Sequence, residues 1–235
     1  MAKDLKEKLA GKFIVFDGPD GCGKSTQRER CQAFLIEQGI DVVVARDPGG
    51  TAIGDKIRQI LLGDDLHEMD VRCETFLFMA SRAQLVGKVI EPAIESGKTV
   101  LCDRFISSTC AYQGAQGYDM EKVIEVGRYA VGQTWPDLTI ILDVPVDQGF
   151  ERAGRKTKTQ QQEEANKHAV GQGMLFEGAR SDAMESRHMS FHKKVRAIFK
   201  SLPASFPGRI EVVDASGPLD EVSERVMEVV RHADF

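Results

Sequence analysis

The sequence predicts a three-layer α/β/α fold built on a five-stranded parallel sheet. Three observations lead there. Short apolar runs alternate with helix-length segments along the 235 residues, the pattern of successive β-α-β units. Those runs are nearly continuous in apolar residues, as suits strands covered on both faces. A glycine-rich turn joins the first run to the first helix, as a short connection in such a unit requires.

Taken in order, Lys12–Asp17 (KFIVFD) reads as a buried strand, followed by a helix from Lys24 to about Gln38. Cys31, Phe34 and Leu35 share its inner face, and Gly39 is its stop. Val42–Ala45 is the second strand and Thr51–Leu62 a short helix. From about Asp70 to Ser96, Met79, Ala83, Val86, Ile90 and Ile94 recur every three or four residues, predicting a long helix that Pro92 should kink or shorten. Thr99–Asp103, Leu138–Val144 and Arg209–Val213 complete the strands. Helices are expected over Met120–Val131, Asp182–Leu202 and Leu219–Arg231. Lys156–Lys167 is polar and without period, and Gly171, Gly173 and Gly178 follow; by composition it is a solvated loop, by length a candidate lid. With no repeat and no dividing linker, residues 1–235 read as one domain.

Composition narrows the function. The chain carries 31 basic and 36 acidic side chains, a net charge of −5, and so lacks the basic field of a general nucleic-acid binder or a membrane-surface protein. Its apolar runs fall far short of the ~18 residues of a membrane span, and Met1–Lys12 has no signal-peptide core. Five cysteines (Cys22, Cys31, Cys73, Cys102, Cys110) include no C-x-x-C pair. They read as reduced thiols filling small spaces, and the chain as cytoplasmic, with neither nucleic acid nor membrane as partner.

Gly18-Pro19-Asp20-Gly21-Cys22-Gly23-Lys24-Ser25 satisfies G-x-x-x-x-G-K-[ST] between a strand and a helix, and Thr26 continues it. Glycines there turn backbone N–H groups inward around anionic oxygens, and the helix dipole adds to the attraction. Lys24 is expected at the β- and γ-phosphates of ATP and the Ser25 hydroxyl on Mg²⁺. The fold class is accordingly that of the P-loop NTPases. A second Mg²⁺ ligand should be an acid ending an apolar strand; Asp103 and Asp143 both qualify by position, and the adjacent Arg104 favours Asp103.

The chain resembles one family of these enzymes. FDGPDGCGKSTQ (Phe16–Gln27), ARDPGGT (Ala45–Thr51), the F-x-x-x-R of Phe78–Arg82, DRF…TCAYQG (Asp103–Gly114) and PDLTIILDV (Pro136–Val144) follow the order seen in thymidylate kinases of bacterial type, and VVDAS (Val212–Ser216) resembles their C-terminal segment. The resemblance implies transfer of the ATP γ-phosphoryl group to dTMP in a homodimer, the apolar face of the long helix being a candidate interface. An acceptor monophosphate, with a second pKa of about 6, is already a dianionic nucleophile at neutral pH. No general base is needed, and the work falls to Lys24, Mg²⁺ and arginines.

Residue by residue, the resemblance implies that Arg46 and Arg104 grip the acceptor phosphate, with Pro48 beside them. It puts the ring of Phe78 on thymine and Arg82 at the base's carbonyl edge, four residues apart on one helix face. Thr109, Tyr112 and Gln113 match positions near base and sugar. Asp47 stands where relatives more often have Glu. Asp20 lies where bacterial-type enzymes carry an acid in the loop, and their catalytic cation then comes from a lid, here about residues 152–185. Arg152, Arg155, Lys156 and Arg180 are candidates, and the resemblance implies Arg155 as a catalytic residue beside Lys24, Asp20, Asp103 and Arg104. The lid-end D-R-x-E pattern reads Asp182-Ala183-Met184-Glu185, without its arginine; Arg180 or Arg187 is the alternative to Arg155, and Asp182 and Glu185 are candidate acids.

His188 and His192 are four apart on a helix, a metal-binding spacing with no third ligand nearby, and read as a solvated face. A GTP-binding switch would share the phosphate loop, and Asp47-Pro48-Gly49-Gly50 spells D-x-x-G, but Asn166-Lys167-His168-Ala169 lacks the final acid of a guanine reader. A kinase for another nucleoside monophosphate and a catalytically weak binding module are the nearer alternatives.

Overall fold

In the computed structural model, residues 2–62, 69–153 and 178–235 are described, with side chains for 5–62, 69–153 and 189–235. Helix α1 (Ala2–Leu9) precedes β1 (Phe13–Asp17), α2 (Lys24–Glu37), β2 (Val42–Arg46) and α3 (Ala52–Leu61). Helix α4 (Val71–Leu85) runs through a π turn (Val86–Ile90) into α5 (Glu91–Glu95). Then come β3 (Thr99–Asp103), α6 (Ile106–Ala115), α7 (Met120–Val131), β4 (Leu138–Asp143), α8 (Val146–Arg152), α9 (Gly178–Ser201), β5 (Ile210–Asp214) and α10 (Leu219–His232).

The strands form a five-stranded sheet in the order β2-β3-β1-β4-β5, every neighbouring pair parallel. β1 lies at its centre, buried at every residue. Side-chain alternation along β1 divides the core. Phe13 and Val15 join Met79, Ile90 and Ile106 on one face. Ile14 and Phe16 join Cys31, Leu35 and Val226 on the other. In register, Arg46 lies beside Asp103 and Phe16 beside Asp103 on the other flank. The C-terminal ends of β1, β2 and β3 therefore gather at one edge, where ligands bind in open α/β sheets.

Several elements differ instructively from the sequence reading. The long helix keeps its expected span, ending at Glu95, but it is not regular throughout, because a π turn absorbs the proline: Glu91 N–H bonds to Val86 C=O, and Pro92 has no N–H for the usual i→i−4 bond. Its N-terminus is set by Asp70, whose carboxylate accepts from Arg72 N–H at 2.9 Å. Helix α6 gave no amphipathic signal because its residues are buried nearly all round, including Ser107, Ser108 and Thr109. Helices α1 and α8 carry no clear sequence signal either, α1 because its charged residues hide Leu5 and Leu9, which pack into the second core face.

The apolar stripe of the long helix is not free for a partner: Met79, Val86 and Ile90 are core residues of this chain. His192 is not solvated either. It is buried, with its ring edge-on to Phe150 and Phe191 at 5.0 and 5.5 Å between centroids. Four cysteines are buried fillers, but Cys73 is exposed. Burial pushes the Cys31 and Cys110 thiols up to about 12 and raises those of Cys22 and Cys102, so none of these four forms thiolate readily. A disulfide-exchange reagent is therefore expected to titrate one thiol per chain in the native state and all five in denaturant. Rapid reaction of a second native thiol would contradict this packing.

Among the described residues, no helix is long and apolar enough to cross a membrane.

Candidate active site

The phosphate loop follows the central strand, and two of its glycines are there because nothing larger fits. Gly18 has φ +137°, and a Cβ on it would lie 2.5 Å from Leu142 O; Gly21 has φ +74°, and a Cβ would fall 1.8 Å from Gly149 O. β4 and α8 thus press directly on the loop. Lys24 is buried, and its Nζ donates to Gly18 O at 3.0 Å and Pro19 O at 2.9 Å, with Cys22 Sγ at 3.7 Å. The ammonium is held inside the curl of the loop.

On one side of the loop lies a cavity of about 500 Å³. It is lined by Gly21 to Gln27, which includes Cys22, Gly23, Lys24, Ser25 and Thr26, and by Arg152, Ala215, Gly217 and α10 residues. Arg152, a lid candidate by sequence, here donates to Ala215 O at 2.9 Å and Gly217 O at 3.5 Å. Its guanidinium ties the C-terminal end of α8 to the β5–α10 loop.

Ser25 Oγ donates to Asp103 Oδ2 at 2.9 Å, joining the end of β3 to the first turn of α2. Asp143 is instead occupied by Arg196, through Nε at 2.6 Å and Nη2 at 2.9 Å, with Lys200 at 3.7 Å. The geometry thus separates two acids that strand position alone left equivalent. Two hard oxygens beside a phosphate loop fit Mg²⁺, which keeps most of its waters and takes phosphate oxygens as further ligands. No group of three or more His, Cys, Asp or Glu among the described residues forms a self-sufficient metal cage.

A second cavity of about 430 Å³ opens on the other side of the loop. Pro48, Phe78, Arg82, Arg104, Thr109, Tyr112 and Gln113 all line it, from four separate segments. Arg82 is almost wholly buried: Nε donates to Asp47 Oδ2 at 2.5 Å and Nη2 to Thr109 Oγ1 at 3.0 Å, and the guanidinium lies 5.2 Å from the Phe105 ring centroid. Burial raises the Asp47 carboxyl above the usual carboxylate range, with the Arg82 charge opposing that shift.

Asp20 joins loop and cavity. Its Oδ1 accepts from Arg104 Nη2 at 2.7 Å and from the Tyr112 hydroxyl at 2.9 Å, and Arg104 stacks 5.2 Å over the Tyr112 ring. Burial raises the Tyr112 phenol, so it remains a hydrogen-bond donor. Arg104 adopts a left-handed backbone, φ +69°, the one described non-glycine residue to do so. That conformation turns its side chain back from β3 over the loop.

Arg46 stands apart from this group. It is half exposed, lies 3.9 Å from Asp55, and does not line this second cavity. Arg58 of α3 does, donating to Pro48 O at 3.0 Å; burial lowers its pKa, and the neighbouring cations Arg46 and Arg104 lower it further. Sequence reading missed Arg58, though Thr51 as N-cap with Arg58 seven residues on offered a signal. It also missed Glu74, Gln116 and Phe191, the last from α9, whose approach no local pattern encodes. Arg155, Lys156, Arg180, Asp182, Ala183, Glu185, Arg187 and His188 lie outside the residues whose side chains are described, as does the Asn166–Ala169 segment.

A parallel 2-3-1-4-5 sheet, a phosphate loop on its central strand and two cavities flanking that loop define a P-loop phosphotransferase. A family model described as thymidylate kinase matches residues 16–226, and the chain belongs to the thymidylate kinase family. It is 39% identical over 221 residues to a thymidylate kinase of Exiguobacterium sp., covering 94% of each chain. It is 41% identical over 222 residues to one of Nitratidesulfovibrio vulgaris, covering 93% of this chain and 95% of that one. Among solved structures, the thymidylate kinase of Ehrlichia chaffeensis is similar, with a TM-score of 0.70 and 28% identity over 94% of this chain and 99% of that one.

Proposed function

We propose that this single-domain protein transfers the γ-phosphoryl group of ATP to dTMP, giving dTDP. The observation that carries the reading is Asp20, an acid inside the phosphate loop whose one oxygen holds both Arg104 and Tyr112 of the neighbouring cavity. Donor and acceptor sites therefore share a wall and bring two anions face to face. Such a reaction needs positioning and positive charge more than proton transfer.

In this reading the backbone of Gly18–Gly23 and the Lys24 ammonium bind the β- and γ-phosphates, with Ser25 and Thr26 closing the cradle. Ser25 and Asp103 would hold Mg²⁺, which supplies charge neutralisation on the phosphate oxygens when bound. Arg104 and Arg58 attract the acceptor phosphate, Arg104 offering a guanidinium fork that matches phosphate oxygens. Arg46 takes part only on reorienting from Asp55. Phe78 covers the base, Arg82 and Gln113 read its polar edge, and Tyr112 closes the sugar side. Arg155, in the lid segment, supplies the further cation in this proposal and a closing lid excludes water.

The expected result with MgATP and a panel of dTMP, dUMP, UMP, dCMP and dGMP is strong preference for dTMP. Transfer to another acceptor would discard the base-site assignments, and ATP hydrolysis with no acceptor phosphorylated would sink the kinase reading.

We further infer a homodimer in the cytoplasm. Phe76 on α4 and Tyr129 on α7 are 55% and 85% exposed on helices that pack together, a surface suited to a second copy. Sedimentation at the mass of one chain would refute it.

A further inference from the structure

Asp17 ends β1 with its carboxylate completely buried, and it collects three hydrogen bonds. Gly18 N–H reaches Oδ1 at 2.8 Å, the Ser108 hydroxyl reaches Oδ1 at 2.6 Å, and the Ser107 hydroxyl reaches Oδ2 at 2.5 Å. Gly18 N–H is the first amide of the phosphate loop, whereas the serines open α6 beneath the acceptor cavity. One buried charge therefore anchors both substrates' walls.

The two serines differ in one respect. Ser108 Oγ also accepts from Arg104 Nη1 at 3.1 Å, whereas Ser107 makes no hydrogen bond to Arg104. A hydroxyl has one proton to donate and lone pairs to accept with. Its proton is committed to Asp17, so the lone pairs of Ser108 face the guanidinium. Charge-assisted bonds at both ends polarise the hydroxyl in the same sense. Asp17 Oδ1 itself stays 4.0 Å from Arg104 Nη1, too far for a direct hydrogen bond. Asp20 fixes the other arm of the fork at 2.7 Å.

We propose that Ser108 is a positioning residue, relaying the fixed charge of Asp17 to Arg104 and so setting where that guanidinium meets the acceptor phosphate relative to the phosphate loop. The proposal rests on the reading of Arg104 as the acceptor-phosphate ligand. Without the relay, the Nη1 arm loses the hydrogen-bond acceptor it has among the described residues, and Arg104 is held by Asp20 and the Tyr112 ring.

The test compares Ser108→Ala with Ser107→Ala, because each removes one hydroxyl bond to the same carboxylate and any loss of folding is matched between them. Ser108→Ala should raise KM for dTMP about tenfold, the order expected for a hydrogen bond to a charged group, with KM for ATP unchanged. Ser107→Ala should leave KM for dTMP within about twofold. Added to Arg104→Ala, Ser108→Ala should change KM for dTMP no further. Equal effects of the two serine variants, or a parallel rise in both Michaelis constants, would make Asp17 and its partners a structural anchor only and overturn the relay. So would an additive effect in the Arg104→Ala background. A wild-type enzyme that fails to phosphorylate dTMP would instead overturn the functional reading beneath it.

Discussion

Lys24→Ala is expected to lower kcat by about 10³-fold, the loss found when a buried, preorganised donor to developing charge is removed. Lys24 is 8% exposed and its Nζ already sits between Gly18 O and Pro19 O at 3.0 and 2.9 Å, so no solvent cation can take its place without entering the loop. Arginine is not a substitute, because its planar fork cannot occupy a space shaped for a point charge. Stability should fall by about 1–3 kcal/mol, since the two carbonyls released belong to the buried residues Gly18 and Pro19. Steady-state kinetics with a thermal melt checks this. A loss below tenfold in a folded variant would remove Lys24 from the transition state.

The second large effect concerns the pair under the acceptor cavity. Arg82 and Asp47 are 1% and 0% exposed at their side chains and 2.5 Å apart. Breaking such a pair leaves an uncompensated charge and costs about 3–5 kcal/mol. At roughly 2–4 °C per kcal/mol for a chain of this size, Arg82→Met should melt about 6–20 °C lower. Removing both charges in Asp47→Asn/Arg82→Met should restore much of that stability, because no lone charge stays buried. Activity should not return, since the donor proposed for the base edge is absent in both.

The sign of the pH dependence follows from Asp47. Burial raises its carboxyl, and Arg82 is the cation that opposes the shift. In Arg82→Met the folded-state value rises further above the unfolded one. A group raised in the folded state favours folding at low pH and loses that contribution as pH climbs through its folded value. The deficit of Arg82→Met should therefore narrow on acidification and widen toward neutrality. A deficit independent of pH would mean that Asp47 carries no charge in the intact protein.

How far the sequence reached depended on whether a signal was local. It determined the parallel sheet, because continuous apolar runs such as FIVFD and TVLCD have no partner but a doubly covered strand. It determined the phosphate loop, because positive-φ glycines and a lysine at fixed spacing are a backbone requirement written in consecutive residues. With the family resemblance it also named Phe78, Arg82, Arg104, Thr109, Tyr112 and Gln113, which the fold brings to one cavity.

Tertiary structure decided what strand position left open. Asp103 and Asp143 end strands in the same way, and only packing gives Ser25 to the first and Arg196 to the second. Arg46 and Arg58 are both cations near β2, and only the angle of α3 sends Arg58 into the cavity. The chain from the buried Asp17 through Ser108 to the partly buried Arg104 spans about ninety residues of sequence, and His192 is hidden by Phe150 from another helix. Burial and hydrogen bonding between distant segments depend on where helices dock, and no periodicity within one segment records that. In this protein the sequence set the chemistry available, and the docking of α3, α6 and α9 on the sheet chose which residues share it.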